Sequence, residues 1–259
     1  MYKPISIILL VIFFANCKKE NHISEQSTAF HLTQITSVNN GYQEFFTHDN
    51  ELLSNYSVDI YGTGAITYTI EYDSQSRPAL IQKNGTVCAS FSYHQSSVSL
   101  FIEDGLTDSL FYTMGNTGKI VRLEKYDDLH GTMQKNADKY YRYNGNNLIE
   151  IECTEYNPSG TVKLNYVESA TFDTRLNAFE SIDASPIVLE FLFQHIPLRI
   201  FKANSKNNIT HLESTHPSDG YTLMQNIVYE NMSYPSEVHY LKQQYGFMDE
   251  DILIYSYSD

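Results

Sequence analysis

Residues 140–168 place the tightest constraint on the fold, because they read as strands separated by turns. The stretch is YYRYNGNNLIEIECTEYNPSGTVKLNYVE. Apolar or aromatic residues alternate with polar ones in short runs, and the turn-forming sequences NGNN (144–147) and NPSG (157–160) break these runs. Alternation of this kind between turn formers is typical of antiparallel strands in a meander. Because Val162, Leu164 and Tyr166 fall on one face of a strand, that face is predicted to be buried.

Similar alternation recurs along most of the chain, and the composition agrees with an all-β fold. The chain has 21 Tyr and 14 Phe but no Trp, and aromatic residues favour strands. We therefore predict a large, twisted, mainly antiparallel sheet. Its clearest strands are predicted at residues 66–72, 79–83, 87–93, 98–103, 109–113, 120–126, 140–143, 148–156, 162–169, 209–214, 221–230, 237–243 and 251–257.

Residues 185–195 depart from the strand pattern and predict one short helix. Ser185 suits an N-cap, Pro186 suits the first helical position, and Pro197 is expected to end the helix. The segment, SPIVLEFLFQH, is apolar nearly all round. A helix of this kind must be buried, so we expect it on the concave side of the sheet. Residues 172–179, in contrast, are predicted to form a loop.

The size and charge of the chain limit its domain count and its partners. At 259 residues with 42% hydrophobic residues, the chain can form one sizeable core, and we predict a single β-rich domain over residues 29–259. The formal net charge is −14 at pH 7. Because nucleic-acid phosphates would be repelled by this charge, we expect no nucleic-acid partner.

The N-terminus has the pattern of an export signal. A charged start at Lys3 precedes an apolar run over residues 5–15, which is too short to span a bilayer comfortably. The run leads directly to Cys17, and here the chain resembles a bacterial lipoprotein precursor. The resemblance implies that residues 1–16 are removed as a signal peptide and that Cys17 carries the lipid, with acyl chains such as palmitate. Residues 17–28 would then form a flexible tether. An ordinary secretory signal with an incidental cysteine, or an uncleaved anchor, remains an alternative.

Short aromatic units followed by a polar turn carry a second resemblance. They include Tyr72-Asp73, the segment YNGN at 143–146 and the segment TFDTRLNAF at 171–179. With the lipoprotein start, these YD-like units resemble Bacteroidetes lipoproteins of the uncharacterised DUF4595 type. That resemblance implies a porin-like or half-barrel fold, so we expect the sheet to curl into an open or half barrel. It transfers no catalytic residue to this chain.

No motif for catalysis, cofactor binding or metal binding is present in the sequence. The nine histidines form no metal-ligand frame. His211 and His216 would point to opposite faces if their strand continued, and His195 lies near the end of the predicted helix. Cys88 and Cys153 fall in predicted strands, and two cysteines do not reveal whether they form a disulfide or remain separate. We therefore predict no catalytic residue, no cofactor and no metal.

These features leave three hypotheses for function. The first is a noncatalytic, lipid-anchored envelope protein that binds a glycan, a lipid or another protein in a concave face rich in Tyr and Phe near residues 186–196. The second is an envelope glycan hydrolase, in which two carboxylates would meet in a cleft. The third is a structural accessory of an outer-membrane complex. The candidate acids of the second hypothesis are Glu150, Glu152, Asp127 and Glu155.

Overall fold

Sixteen antiparallel strands form the barrel wall in the described part of the chain. The computed structural model describes residues 30–60, 62–103, 107–128, 131–182, 184–193, 197–229 and 233–258. The predicted signal peptide, Cys17, the predicted tether and His195 therefore lie outside the described residues. The strands are β1 (His31–Ser37), β2 (Tyr42–Asp49), β3 (Leu52–Ile60), β4 (Ile66–Tyr72), β5 (Pro78–Lys83), β6 (Thr86–Tyr93), β7 (Ser97–Glu103), β8 (Thr107–Met114), β9 (Ile120–Asp128), β10 (Met133–Asn144), β11 (Asn147–Tyr156), β12 (Val162–Leu176), β13 (Asn207–Ser214), β14 (Tyr221–Val228), β15 (Glu237–Gln244) and β16 (Phe247–Ser258).

The sheet closes into a barrel, so the prediction of an open or half barrel is wrong. Each strand pairs with the next, and β1 pairs with β16. In that last pairing Ile35 lies opposite Tyr255, and Ser37 lies opposite Leu253. Closure leaves no strand edge with unpaired backbone groups. The antiparallel meander predicted from the sequence is confirmed.

The alternation of the sequence becomes the two faces of the barrel wall. On β10 and β11, Tyr141 lies opposite Ile151 and both are buried, whereas Arg142 lies opposite Glu150 on the outer face. Inward residues form one hydrophobic core with members on strands around the whole barrel. Of the residues predicted to share a buried face on β12, Tyr166 lies opposite the buried Cys153, but Val162 at the start of the strand is 54% exposed, so that prediction is wrong for Val162.

A helical insert between β12 and β13 occupies the barrel lumen. It comprises a 3-10 helix (Ala178–Ser181) and the helices α1 (Pro186–Phe193) and α2 (Pro197–Ala203). Three of its polar side chains contact two distant parts of the wall, one on β10 and the other on the two neighbours of β1. Glu190 accepts a hydrogen bond from Tyr141 on β10, Arg199 binds Glu44 on β2, and Lys202 donates to Tyr255 on β16. Contacts with such widely separated strands place the insert across the lumen.

The predicted helix is present as α1, but two neighbouring predictions need correction. Pro197 does not end the helical structure; it begins α2, because the first turn of a helix does not need the missing proline N–H. The loop predicted at residues 172–179 is instead the end of β12, followed by the 3-10 helix. Phe172 pairs with Ile209 and Leu176 with Asn207, with register shifts that hide the alternation.

The two ends of the barrel differ. The end where the insert enters, here called the insert end, also carries the start of β1 and the end of β16, because an even number of antiparallel strands returns the chain to its starting side. Asn177 fixes the insert there, since its Nδ2 donates to the Lys202 carbonyl at 3.0 Å. The opposite end, here called the far end, carries the β1–β2, β3–β4, β13–β14 and β15–β16 connections.

None of the helices in the described ranges is long and apolar enough to cross a bilayer.

Candidate functional site

A cavity of about 490 Å³ lies inside the barrel between the insert and the far end. Its base includes Leu192, near the end of α1, and Leu198, near the start of α2, so these helix ends contribute to the floor. Ile60, the last residue of β3, and Tyr221, the first residue of β14, contribute to the wall and place the cavity near the far end. Cavities of this volume are typical of sites for small molecules.

The cavity wall is mainly aromatic and aliphatic. Its aromatic residues come from five strands and are Tyr42, Tyr56, Tyr68, Tyr221 and Tyr240. Its aliphatic residues are Val58, Ile60, Leu192, Leu198, Leu223 and Leu253. Pairs two positions apart, such as Tyr56 with Val58 and Tyr221 with Leu223, show how strand alternation directs these side chains inward. The predicted concave face with tyrosines beside the apolar helix is therefore present, although described phenylalanines do not line it.

A buried ion pair lies at the floor of the cavity. The Arg199 guanidinium binds the Glu44 carboxylate, and the two side chains are only 3% and 4% exposed. Glu44 also accepts a hydrogen bond from the Tyr56 hydroxyl at 3.3 Å. Burial alone would lower the pKa of Arg199, but the adjacent carboxylate raises it, so the guanidinium stays charged. One guanidinium nitrogen, Nη1, is buried without a hydrogen-bond partner in the described structure.

Lys242 places a second cation on the cavity wall. It faces inward from β15, opposite Leu223 on β14 and Asp249 on β16. Its amine lies 5.2 Å from the centre of the Tyr221 ring. Among the described residues, no carboxylate forms an ion pair with this amine, whereas Lys125, Lys135 and Lys163 each pair with at least one carboxylate.

A second polar cluster lies deeper in the lumen, outside the cavity. The Tyr141 hydroxyl donates to Glu190 Oε1 at 2.6 Å. Burial raises the pKa of Glu190, and the nearby Lys139 ammonium only partly offsets this effect. Burial also raises the pKa of Glu168, and Lys139 again lowers it only in part. Because Glu190 is completely buried, this cluster holds α1 against the wall and is not accessible to a substrate.

Lys202 is buried beside the ion pair but is not among the described residues that line the cavity. Its amine donates to the Tyr255 hydroxyl at 2.9 Å. Burial, followed by repulsion from the Arg199 guanidinium, lowers the pKa of Lys202 well below its ordinary value. Among the described residues, the charged groups that line the cavity are Glu44, Arg199 and Lys242.

The structure does not bring the four candidate hydrolase acids together. Glu150 and Glu152 both bind Arg142 on the outer face. Glu155 binds Lys163 at 3.0 Å, and Asp127 lies 3.4 Å from the Lys125 amine. Each acid therefore has a basic partner away from the cavity, and none lines it.

The histidines and cysteines predicted from the sequence also lie apart from the cavity. His211 is on the outer face of β13, opposite Met224. His216 follows the end of β13 and contacts the Tyr166 ring, with centroids 4.7 Å apart. Cys88 and Cys153 are buried thiols on β6 and β11. No group of three potential metal ligands occurs in the described part of the chain.

Solved structures that match this chain include two porin-like proteins of low sequence identity. One is a porin-like protein from Bacteroides uniformis ATCC 8492, with 13% identity, a TM-score of 0.41, and coverage of 88% of this chain and 98% of the other. Another is a porin-like protein from Bacteroides vulgatus ATCC 8482, with 12% identity, a TM-score of 0.36 and the same coverage. No protein-family model matches the chain. No curated protein matches it either.

Proposed function

We propose that this protein is a noncatalytic binding protein that holds a small, largely apolar ligand inside its barrel. The cavity above the insert carries this proposal. Its wall combines six aliphatic side chains with five tyrosines, which can bury an apolar ligand and donate hydrogen bonds to its polar part. A lipid-like ligand fits this lining better than a glycan, because a sugar would leave many hydroxyl groups without partners.

The charged residues on the outer face favour a location of the barrel outside the bilayer. A membrane-spanning barrel needs an apolar outward band about 25 Å tall, and an Arg or Lys at the bilayer midplane costs about 2–4 kcal/mol. Here Arg122, Glu124 and Asp138 form ion pairs across the outer face of β9 and β10, away from the ends of β10. The exposed Phe101 and Phe111 on β7 and β8 lie opposite serines. The helical insert also fills part of the lumen, which is unfavourable for a channel.

The cavity can be tested by filling it. Val58 faces the cavity from β3, and its neighbour Ser57 faces outward. The variant Val58→Trp is expected to weaken binding of the neutral dye N-phenyl-1-naphthylamine by about tenfold or more, because the indole occupies the site. The variant Ser57→Trp should bind like the unmodified protein. Fluorescence titration of both variants measures the effect.

The introduced tryptophans also verify folding. Because the chain contains no Trp, emission from each variant reports one position. We expect blue-shifted emission from Val58→Trp and redder emission from Ser57→Trp. Equal dye affinity in the two variants, with this emission difference intact, would contradict binding in the lumen.

We further propose that the protein is held in the cell envelope by a lipid on Cys17, after removal of residues 1–16. The charged start, the apolar run and the following cysteine support this assignment. Cys17→Ala should abolish incorporation of an alkyne-labelled palmitate and release the protein from the membrane fraction, since acylation provides the anchor. Cys88→Ala should keep the label. Labelling that persists in Cys17→Ala would refute the assignment.

A further inference from the structure

The cavity carries an uncompensated positive charge in a strongly acidic protein. The whole chain has 31 acidic and 17 basic residues. Three of the described residues that line the cavity are charged, and two of them, Glu44 and Arg199, form the buried ion pair. Lys242 is the third. Because the ion pair is neutral as a unit, the cavity has a net charge of about +1 from these groups.

The surroundings of Lys242 direct its charge toward the cavity. Its stem lies on the wall beside Leu223 and Tyr240, and its amine contacts the Tyr221 ring. Two aspartates are near in the strand register. Asp249, opposite on β16, forms no ion pair with it in the described structure. Asp251 is already used, since it accepts hydrogen bonds from Ser37 and Asn40. The amine is thus available to a ligand.

Two buried hydrogen-bond donors of described residues that line the cavity lack an acceptor, and they too favour a negatively charged ligand. Arg199 Nη1 and the Tyr221 hydroxyl are both buried without a hydrogen-bond partner in the described structure, and both residues line the cavity. Buried polar groups in folded proteins are nearly always paired. A ligand that brings negatively charged acceptor oxygens would complement this excess of donors and of positive charge.

We propose that the ligand is an amphiphile with an apolar body and one anionic group, such as a long-chain carboxylate. Lys242 binds the anionic group, while the apolar body packs against Leu192, Leu198 and Leu253. This inference rests on the proposed binding function, since it names the ligand class for the same cavity. It distinguishes an anionic lipid-like molecule from a neutral or cationic one of the same length.

A series of ligands that differ only in headgroup tests this inference. Dodecanoate, dodecanol and dodecyltrimethylammonium are each titrated at pH 8 against the full protein carrying N-phenyl-1-naphthylamine. We expect dodecanoate to displace the dye at a concentration about tenfold or more below that of dodecanol, because it gains a charge-assisted hydrogen bond. The cationic compound should be the weakest of the three.

Substitutions at Lys242 assign the preference to this side chain. Lys242→Met keeps the length of the stem and should remove the tenfold advantage of dodecanoate, while dodecanol displacement changes less than about twofold. Lys242→Arg should retain the advantage. Lys163→Met is the matched control, because Lys163 pairs with Glu155 and does not line the cavity. Thermal melting confirms that each variant is folded.

The outcomes separate the two proposals. If the dye binds and the three compounds displace it equally, the anionic class is wrong while the binding cavity stands. The anionic class is also wrong if Lys242→Met and Lys163→Met give the same displacement by dodecanoate. It is wrong as well if Lys242→Met weakens displacement by dodecanol as strongly as displacement by dodecanoate. If the dye does not bind the unmodified protein, the proposed binding function fails, and the ligand class fails with it.

Discussion

Replacing Arg199 by Met is expected to destabilise the folded barrel by about 3–5 kcal/mol, because it leaves a carboxylate buried without its cation. Glu44 is only 4% exposed at its side chain. The Tyr56 hydroxyl would be its remaining neutral donor, and one hydrogen bond does not replace a charge partner. Urea denaturation of the variant and the unmodified protein, followed by circular dichroism, measures the difference in unfolding free energy.

Two further variants test whether the loss of stability arises because the ion pair is buried. Arg142→Met removes the cation of an ion pair on the outer face, where the Arg142 side chain is 62% exposed, and should cost about 0–1 kcal/mol. The double variant Glu44→Gln with Arg199→Met removes both charges and should recover most of the stability lost in the single variant. A loss from Arg199→Met no larger than that from Arg142→Met would show that the buried pair does not hold the insert.

The buried polar contacts of the insert explain why the cavity has a defined shape. The insert is largely apolar, and apolar packing alone has little directional preference. Its polar contacts are directional: Arg199 reaches β2, Glu190 reaches β10 and Lys202 reaches β16. Three contacts on separated strands fix both the depth and the rotation of the helices. The position of Leu192 and Leu198 at the cavity floor follows from that placement.

Strand positions could be predicted from the sequence far better than strand partners. Alternation is local, so segments such as residues 66–72 and 120–126 correspond closely to β4 and β9. Closure depends on pairing of β1 with β16 at opposite ends of the chain, and no local pattern contains that information. Bulges in β12 further obscured the alternation and made the end of that strand resemble a loop.

The site could be predicted only in outline. Tyrosines beside an apolar helix indicated a lined concave face, and that face exists. The sequence did not single out Glu44, Arg199 or Lys242, because each lies in an ordinary alternating or apolar segment without a recognisable motif. A signal was available for Arg199: two cations, Arg199 and Lys202, lie three residues apart within the otherwise apolar PLRIFKA. This pattern indicates buried charges that need partners inside a core.

Replacing Phe193 by Ala is expected to cost about 3–5 kcal/mol, the usual range for removing a fully buried aromatic side chain. Phe193 has no exposed surface. Its ring contacts Tyr56 on β3 and Phe179 in the 3-10 helix edge-on, with centroids 5.5 and 5.6 Å apart. The loss should be large because barrels of about 16 strands enclose a lumen wider than their wall side chains can fill, so the wall cannot collapse into the space left by the ring.

The matched control for this prediction is Leu192→Ala, since Leu192 directly precedes Phe193 in α1. Leu192 is only partly buried because it borders the cavity, so its truncation should cost less and should enlarge the ligand site. Urea denaturation gives both stability differences, and dye titration should show binding retained in Leu192→Ala. If Phe193→Ala were as mild as Leu192→Ala, the barrel wall would be stable without close packing against the insert. The helices would then contribute to the ligand site but little to stability, and the contacts within the barrel wall would stabilise the fold.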